Sequence, residues 1–184
     1  DLSKVLMADG LTLFEVGHLA DIPTNAFDLS SYPPGRSDEW PTLVVEVGYS
    51  DETLEHLVTG AGWWLSNSGG DVKVVVIIAI DRNQAGMQID VWRNLLAPPN
   101  LQITRADLNA TWFTPSRTQH ITITLQGQPP NHTIVVNGAP LRLSFDDIFL
   151  RAPSPPPSSE QDFIYGQAEL QELAELVWMA QEFL

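Results

Sequence analysis

The chain alternates between short β-branched apolar runs and one clear stretch of helical spacing. Residues 42–47 (TLVVEV) follow a proline and read as a buried strand whose single charge is Glu46. Over residues 51–66, Leu54, Leu57, Val58, Ala61 and Leu65 recur at helical spacing. Ser50 is a candidate cap, Asp51 and Glu52 suit the positive end of the helix dipole, and Ser68-Gly69-Gly70 stops the run. Residues 72–80 (VKVVVIIAI) are apolar on both faces, as in a strand covered on both sides of its sheet. Strand, helix, strand makes a βαβ unit with parallel strands.

Beyond that unit, residues 87–94 (MQIDVWRN), 120–125 (HITITL) and 133–136 (TIVV) read as further strands separated by turn residues. Asn137-Gly138 then turns the chain into a strand over 141–145. Residues 1–20 suggest a short helical or mixed opening, and residues 21–41, with Pro33-Pro34-Gly35, a connecting stretch. Residues 153–159 (PSPPPSS) form a stiff linker to an amphipathic helix over 161–184. Residues 160–184 hold six acids (Glu160, Asp162, Glu169, Glu172, Glu175 and Glu182) and no base. The organisation expected is an α/β domain over 1–152 with a mixed central sheet, flanking helices and added antiparallel strands, then the linker, then a terminal acidic helix. That helix must bury Leu170, Leu173, Val177 and Trp178, by docking on the core with a share in a dimer interface.

Composition narrows the function classes. With 43% hydrophobic residues among 184, a real core is expected. Lys and Arg total 9 against 23 Asp and Glu, a net charge of −14 that disfavours nucleic acid as a partner. The absence of cysteine removes disulfides, thiolate-ligated metals and thiol nucleophiles. No apolar run approaches the length of a membrane span, so no membrane association is expected, and no basic-then-apolar leader pattern occurs. Nothing in the composition decides a compartment.

Candidate chemistry centres on Glu46, because a carboxylate inside an apolar strand is costly unless paired, hydrogen-bonded or metal-bound. The four histidines, His18, His56, His120 and His132, show no metal-ligand spacing and read as isolated side chains. Gly60 and Gly62 inside the helix each cost about 1 kcal/mol against alanine, which points to close packing of a backbone or ligand there or else to a break in the helix, the packing reading being favoured. The pair Trp63-Trp64 reads as core or interface. Asn109-Ala110-Thr111 and Asn131-His132-Thr133 match the glycosylation sequon.

The run from Trp40 to Ser50, the Trp63-Trp64-Leu65 helix and the following Asn67-Ser68-Gly69-Gly70-Asp71-Val72-Lys73 resemble the PD-(D/E)XK nuclease superfamily. They are similar to a group of fungal proteins related to the restriction-endonuclease-like family of cyanobacteria. Pro33-Pro34-Gly35-Arg36-Ser37-Asp38, Asn137-Gly138-Ala139-Pro140-Leu141 and Phe149-Leu150-Arg151 extend the resemblance over much of 23–151. It implies a restriction-endonuclease-like fold and a Mg²⁺-dependent phosphodiester site, in which an Asp and a Glu hold the ion and a Lys helps activate water. Glu46 matches the family's Glu and is the candidate catalytic and metal-ligating residue. The Asp position falls on Pro23-Thr24 ahead of Phe27, with Asp21 and Asp28 nearby. The Lys position is Gly48, and the helix stretch Thr59-Gly60-Ala61-Gly62 supplies neither the acid nor the base found in many relatives. Lys73 opens the next parallel strand, at the opposite end of the sheet from Glu46.

The leading expectation is therefore a catalytically degenerate nuclease-like domain that binds a protein partner or a second copy of itself and needs no cofactor. The alternatives are a Mg²⁺-dependent nuclease using Glu46 with rearranged ligands, and a secreted carbohydrate-binding or effector-type protein suggested by the tryptophans and sequons.

Overall fold

A computed structural model describes residues 40–49, 53–96, 113–127 and 131–184. The opening segment, nearly all of the 21–41 connector, the Pro23-Thr24 position and the sequon at Asn109 lie outside the described residues. Strand β1 (Leu43–Tyr49), helix α1 (Thr53–Asn67) and strand β2 (Val74–Ile80) form the expected βαβ unit. The two strands pair in parallel, from Leu43 opposite Val74 to Tyr49 opposite Ile80. Strands β3 (Gly86–Leu96), β4 (Phe113–Gln126) and β5 (Thr133–Asn137) follow as an antiparallel meander, giving a mixed five-stranded sheet in the order β1-β2-β3-β4-β5. The protein is thus α/β.

The apolar run of β2 is explained by cover on both faces. On one face, Leu57, Ala61 and Leu65 of α1 pack on Val75 and Ile77. The other face buries Val74, Val76, Ile78 and Ile80 with Ile89, Val91, Ile121 and Ile123 of the neighbouring strands. Helix α3 (Gln167–Ala180) closes that second layer with Leu170, Ala174, Val177 and Trp178, and Trp178 is fully buried. The acids Glu169, Glu172 and Glu175 on its other side are exposed. No helix among the described residues is long and apolar enough to cross a membrane.

Beyond shifts of one to four residues at other ends, three elements differ from the pattern-based reading. Strand β4 begins at Phe113 rather than His120, because the long β3 pairs with it throughout and carries even Pro115, opposite Asn94. The expected strand over 141–145 ends at Leu143. Strand β6 (Leu141–Leu143) leaves the main sheet to pair with β7 (Phe163–Tyr165), and Phe145 instead opens a short helix, α2 (Phe145–Phe149). Because 163–165 is taken up by that pairing, the terminal helix starts at Gln167 instead of residue 161. The proline-rich segment is closed on itself: the Glu160 carboxylate accepts from Arg151 Nη1 and Nη2 at 2.7 and 2.6 Å and from the Ser154 amide at 2.8 Å. Those hydrogen bonds, chiefly that from Arg151, hold the Glu160 carboxyl down at about 2.

Candidate functional site

Glu46 sits in mid-strand opposite Ile77, with its side chain turned to the face covered by α1. Its Oε1 accepts a hydrogen bond of 2.7 Å from the Trp64 indole Nε1. Gly60 lies directly against the carboxylate: a Cβ there would stand 2.5 Å from Oε2 and 2.9 Å from Oε1. Gly60 is therefore the close-packing glycine, whereas a Cβ on Gly62 would meet nothing within 4 Å. Trp64 belongs to a cluster with Trp40 and Trp63 whose ring centroids lie 5.2 to 5.7 Å apart, with the planes tilted or edge-on. Trp63 is 52% exposed, so the tryptophan pair is part core and part surface. The half-buried carboxylate of the βαβ unit is thus the acceptor that ties β1 to α1.

The residues around Glu46 do not assemble a Mg²⁺ site among the described residues. Gly48, at the lysine position, is buried. Lys73 precedes β2, four positions before Ile77 and so about 13 Å along the strand from the register of Glu46, and its Nζ donates to the Gly70 carbonyl. No group of three or more His, Asp or Glu side chains among the described residues is placed to hold a metal ion. Mg²⁺ keeps most of its waters and is commonly held by one or two protein carboxylates; the one carboxylate at this position already accepts the Trp64 indole N–H.

A second polar cluster lies on the same sheet face. Reading across the register, Glu46, Ile77, Asp90 and His120 occupy one row over β1 to β4. Asp90 is fully buried, and a buried carboxylate needs several donors to offset its lost hydration. Its Oδ1 lies 2.6 Å from His120 Nδ1, while its Oδ2 accepts from Gln88 Nε2 at 2.9 Å and stands 3.4 Å from Arg117 Nη1. The His120 and Arg117 side chains remain 42% and 46% exposed. Two strand spacings along that row, roughly 10 Å, separate Glu46 from Asp90, and the two carboxylates turn to different partners.

Beside this cluster a groove of about 340 Å³ runs over the ends of β2 to β4, lined by Leu54, Ala79, Asp81, Gln88, Thr122 and Thr124 among others. Asp81 caps the β2–β3 turn. Its Oδ1 accepts from the amides of Asn83 at 2.8 Å and Gln84 at 3.2 Å, and these bonds, the Asn83 amide foremost, lower its carboxyl below the usual value.

Reading His120 as an isolated side chain is overturned by its pairing with Asp90. Strand alternation does place Gln88, Asp90 and Trp92 on one face, and that was the available signal. Their partner lies 30 residues further on, behind a register shift that spacing does not reveal. In comparisons with known proteins, no family model, no curated protein and no solved structure matches the chain.

Proposed function

We propose that this chain is a restriction-endonuclease-like domain in which Glu46 has become a structural tie, and that it acts by binding a protein partner, a second copy of itself included, rather than by cleaving nucleic acid. The observation that carries this reading is the Trp64–Glu46 hydrogen bond of 2.7 Å, closed from the helix side by Gly60. A metal-ligating carboxylate needs free lone pairs directed at the ion, and here one oxygen accepts an indole N–H while the helix backbone lies against both. The glycine at 48 and the distant Lys73 support the loss of the basic group that would polarise the phosphodiester. The net charge of −14 adds repulsion toward a polyanionic substrate.

Incubating the protein with plasmid and single-stranded DNA in Mg²⁺ or Mn²⁺ tests the reading. No cleavage above a buffer control is expected, from the wild type or from Glu46→Gln. Metal-dependent cleavage that disappears in Glu46→Gln would overturn it in favour of a Mg²⁺-dependent nuclease built on Glu46. Sedimentation over a range of concentrations tests self-association. A growing dimer fraction is expected, and a strict monomer would remove the second copy as the partner.

A further inference from the structure

We propose that Arg117 and His120, with the groove beside them, bind a small phosphate monoester, and that the buried Asp90 acts as their positioning residue. The site is separate from Glu46 and does not depend on the fate of that carboxylate.

The first argument is the path of β4. Residues three apart on a regular strand point to opposite faces, so Arg117 and His120 should not meet. The register shifts between Val91 and Trp92: Val91 faces Gln119 while Trp92 faces Arg117, leaving Thr118 as the extra residue of a β-bulge. That insertion returns Arg117 to the face of His120 and Asp90, where its Nη1 stands 3.4 Å from His120 Nδ1 and from Asp90 Oδ2. The bulge is itself held in place, since Thr118 Oγ1 donates to the Val91 carbonyl at 3.1 Å and accepts from Arg93 Nη1 at 2.9 Å. A bulge of this kind re-aims a side chain, and the side chain re-aimed here is a cation.

The second argument is the burial of Asp90. A well-packed apolar residue in its place is commonly neutral or better for stability, so the carboxylate is not required by the core. What it does is orient. The Asp90 Oδ1 contact at 2.6 Å engages His120 Nδ1 and leaves Nε2 as the ring nitrogen for a ligand. A phosphate monoester offers both oxygen acceptors and a P–OH donor, so it can meet that nitrogen in either hydrogen-bonding role, while the Arg117 guanidinium meets a non-bridging oxygen.

The rest of the ligand is bounded by the groove. Gln88 and Thr122 are the next same-face neighbours of Asp90 and His120, and they open the 340 Å³ groove that continues to Thr124 and Asp81. That volume suits a small molecule. Its lining sets the Gln88 amide and the Thr122 and Thr124 hydroxyls beside Leu54, Ala79, Ile80 and Met87, which suits a body with both hydroxyl groups and an apolar face, and the Asp81 carboxylate at the far end disfavours a second anionic group. A charge of −14 over the chain likewise admits one small anion at the Arg117 guanidinium more readily than a nucleic-acid backbone.

The test uses the intact protein and long-range proton–nitrogen correlation spectra of the histidine rings, titrated with ribose monophosphate, inorganic phosphate, ribose and a DNA duplex. Saturable shifts of the His120 ring are expected with the two phosphates and not with ribose. Binding should weaken by about tenfold or more in Arg117→Ala and in His120→Gln, as expected for loss of a charge-assisted contact. Asp90→Asn should redistribute the His120 tautomers and also weaken phosphate binding with Arg117 and His120 intact, and the second effect is one that a merely structural role would not produce. Should that variant fail to fold, the two substitutions at exposed side chains still decide the outcome. No saturable shift with either phosphate, unchanged affinity in Arg117→Ala, or tighter binding of the duplex than of ribose monophosphate would each overturn the proposal.

Discussion

Replacing Gly60 by alanine should destabilise the protein, although the same change at an ordinary helix position stabilises it. A Cβ at residue 60 would stand 2.5 Å from Glu46 Oε2, 2.9 Å from Oε1 and 3.1 Å from Cδ, and these are its three nearest neighbours. The carboxylate must withdraw by roughly 1 Å to restore ordinary van der Waals separation, and the 2.7 Å bond from Trp64 Nε1 does not survive that shift. A hydrogen bond to a charged group is worth about 1.5–3 kcal/mol, while alanine gains about 1 kcal/mol over glycine in a helix interior. The net loss is therefore about 0.5–2 kcal/mol. At Gly62, where a Cβ meets nothing within 4 Å, only the helix term operates, and Gly62→Ala should gain about 1 kcal/mol. The decisive experiment combines the changes. In a Glu46→Ala background the obstruction is gone, so Gly60→Ala should switch sign and stabilise by about 1 kcal/mol, giving a coupling energy of about 1.5–3 kcal/mol. Urea unfolding followed by tryptophan fluorescence and far-ultraviolet circular dichroism measures each arm. Equal gains from Gly60→Ala and Gly62→Ala in the wild type, or a loss from Gly60→Ala that persists without Glu46, would refute the close-contact account.

Trp178→Ala should cost about 3–5 kcal/mol, because the ring is fully buried where α3 seats on the sheet. Trp178→Phe should cost much less, since the indole Nε1 has no hydrogen-bond partner among the described residues; equal losses in urea unfolding would contradict that. For Glu160, the folded value of about 2 lies below the ordinary 4.5, so its contribution is present above that range and is lost as pH falls toward 2. Glu160→Gln should flatten that acid limb of the stability curve and hasten proteolysis within 152–159, and an acid limb identical to wild type would show that the Arg151 pair has no such role.

Much of the framework is written in local pattern. The apolar runs of β1 and β2 and the helical spacing of α1 define a βαβ unit, because each element carries its own periodicity and a strand buried on both faces admits little polar content. Glu46 stands out for the same reason, and so do the helix glycines. What Glu46 touches is a different matter. Trp64 lies 18 residues away and Gly60 14, and only the seating of α1 on β1 brings the indole and the bare Cα to the carboxylate.

Packing also decided where the later segments went. The 113–119 stretch is polar and contains a proline, yet it is a strand because β3 offers a full-length partner. Phe163–Tyr165 looks like the start of a helix until β6 is present to pair with it. The union of Asp90, Arg117 and His120 depends most completely on tertiary structure. One inserted residue at Thr118 reverses the facing of everything before it on β4, and that insertion is defined only by the register against β3. Composition and periodicity are properties of a segment taken alone, whereas register, bulges and side-chain pairing are properties of two segments together, and only the folded sheet sets them.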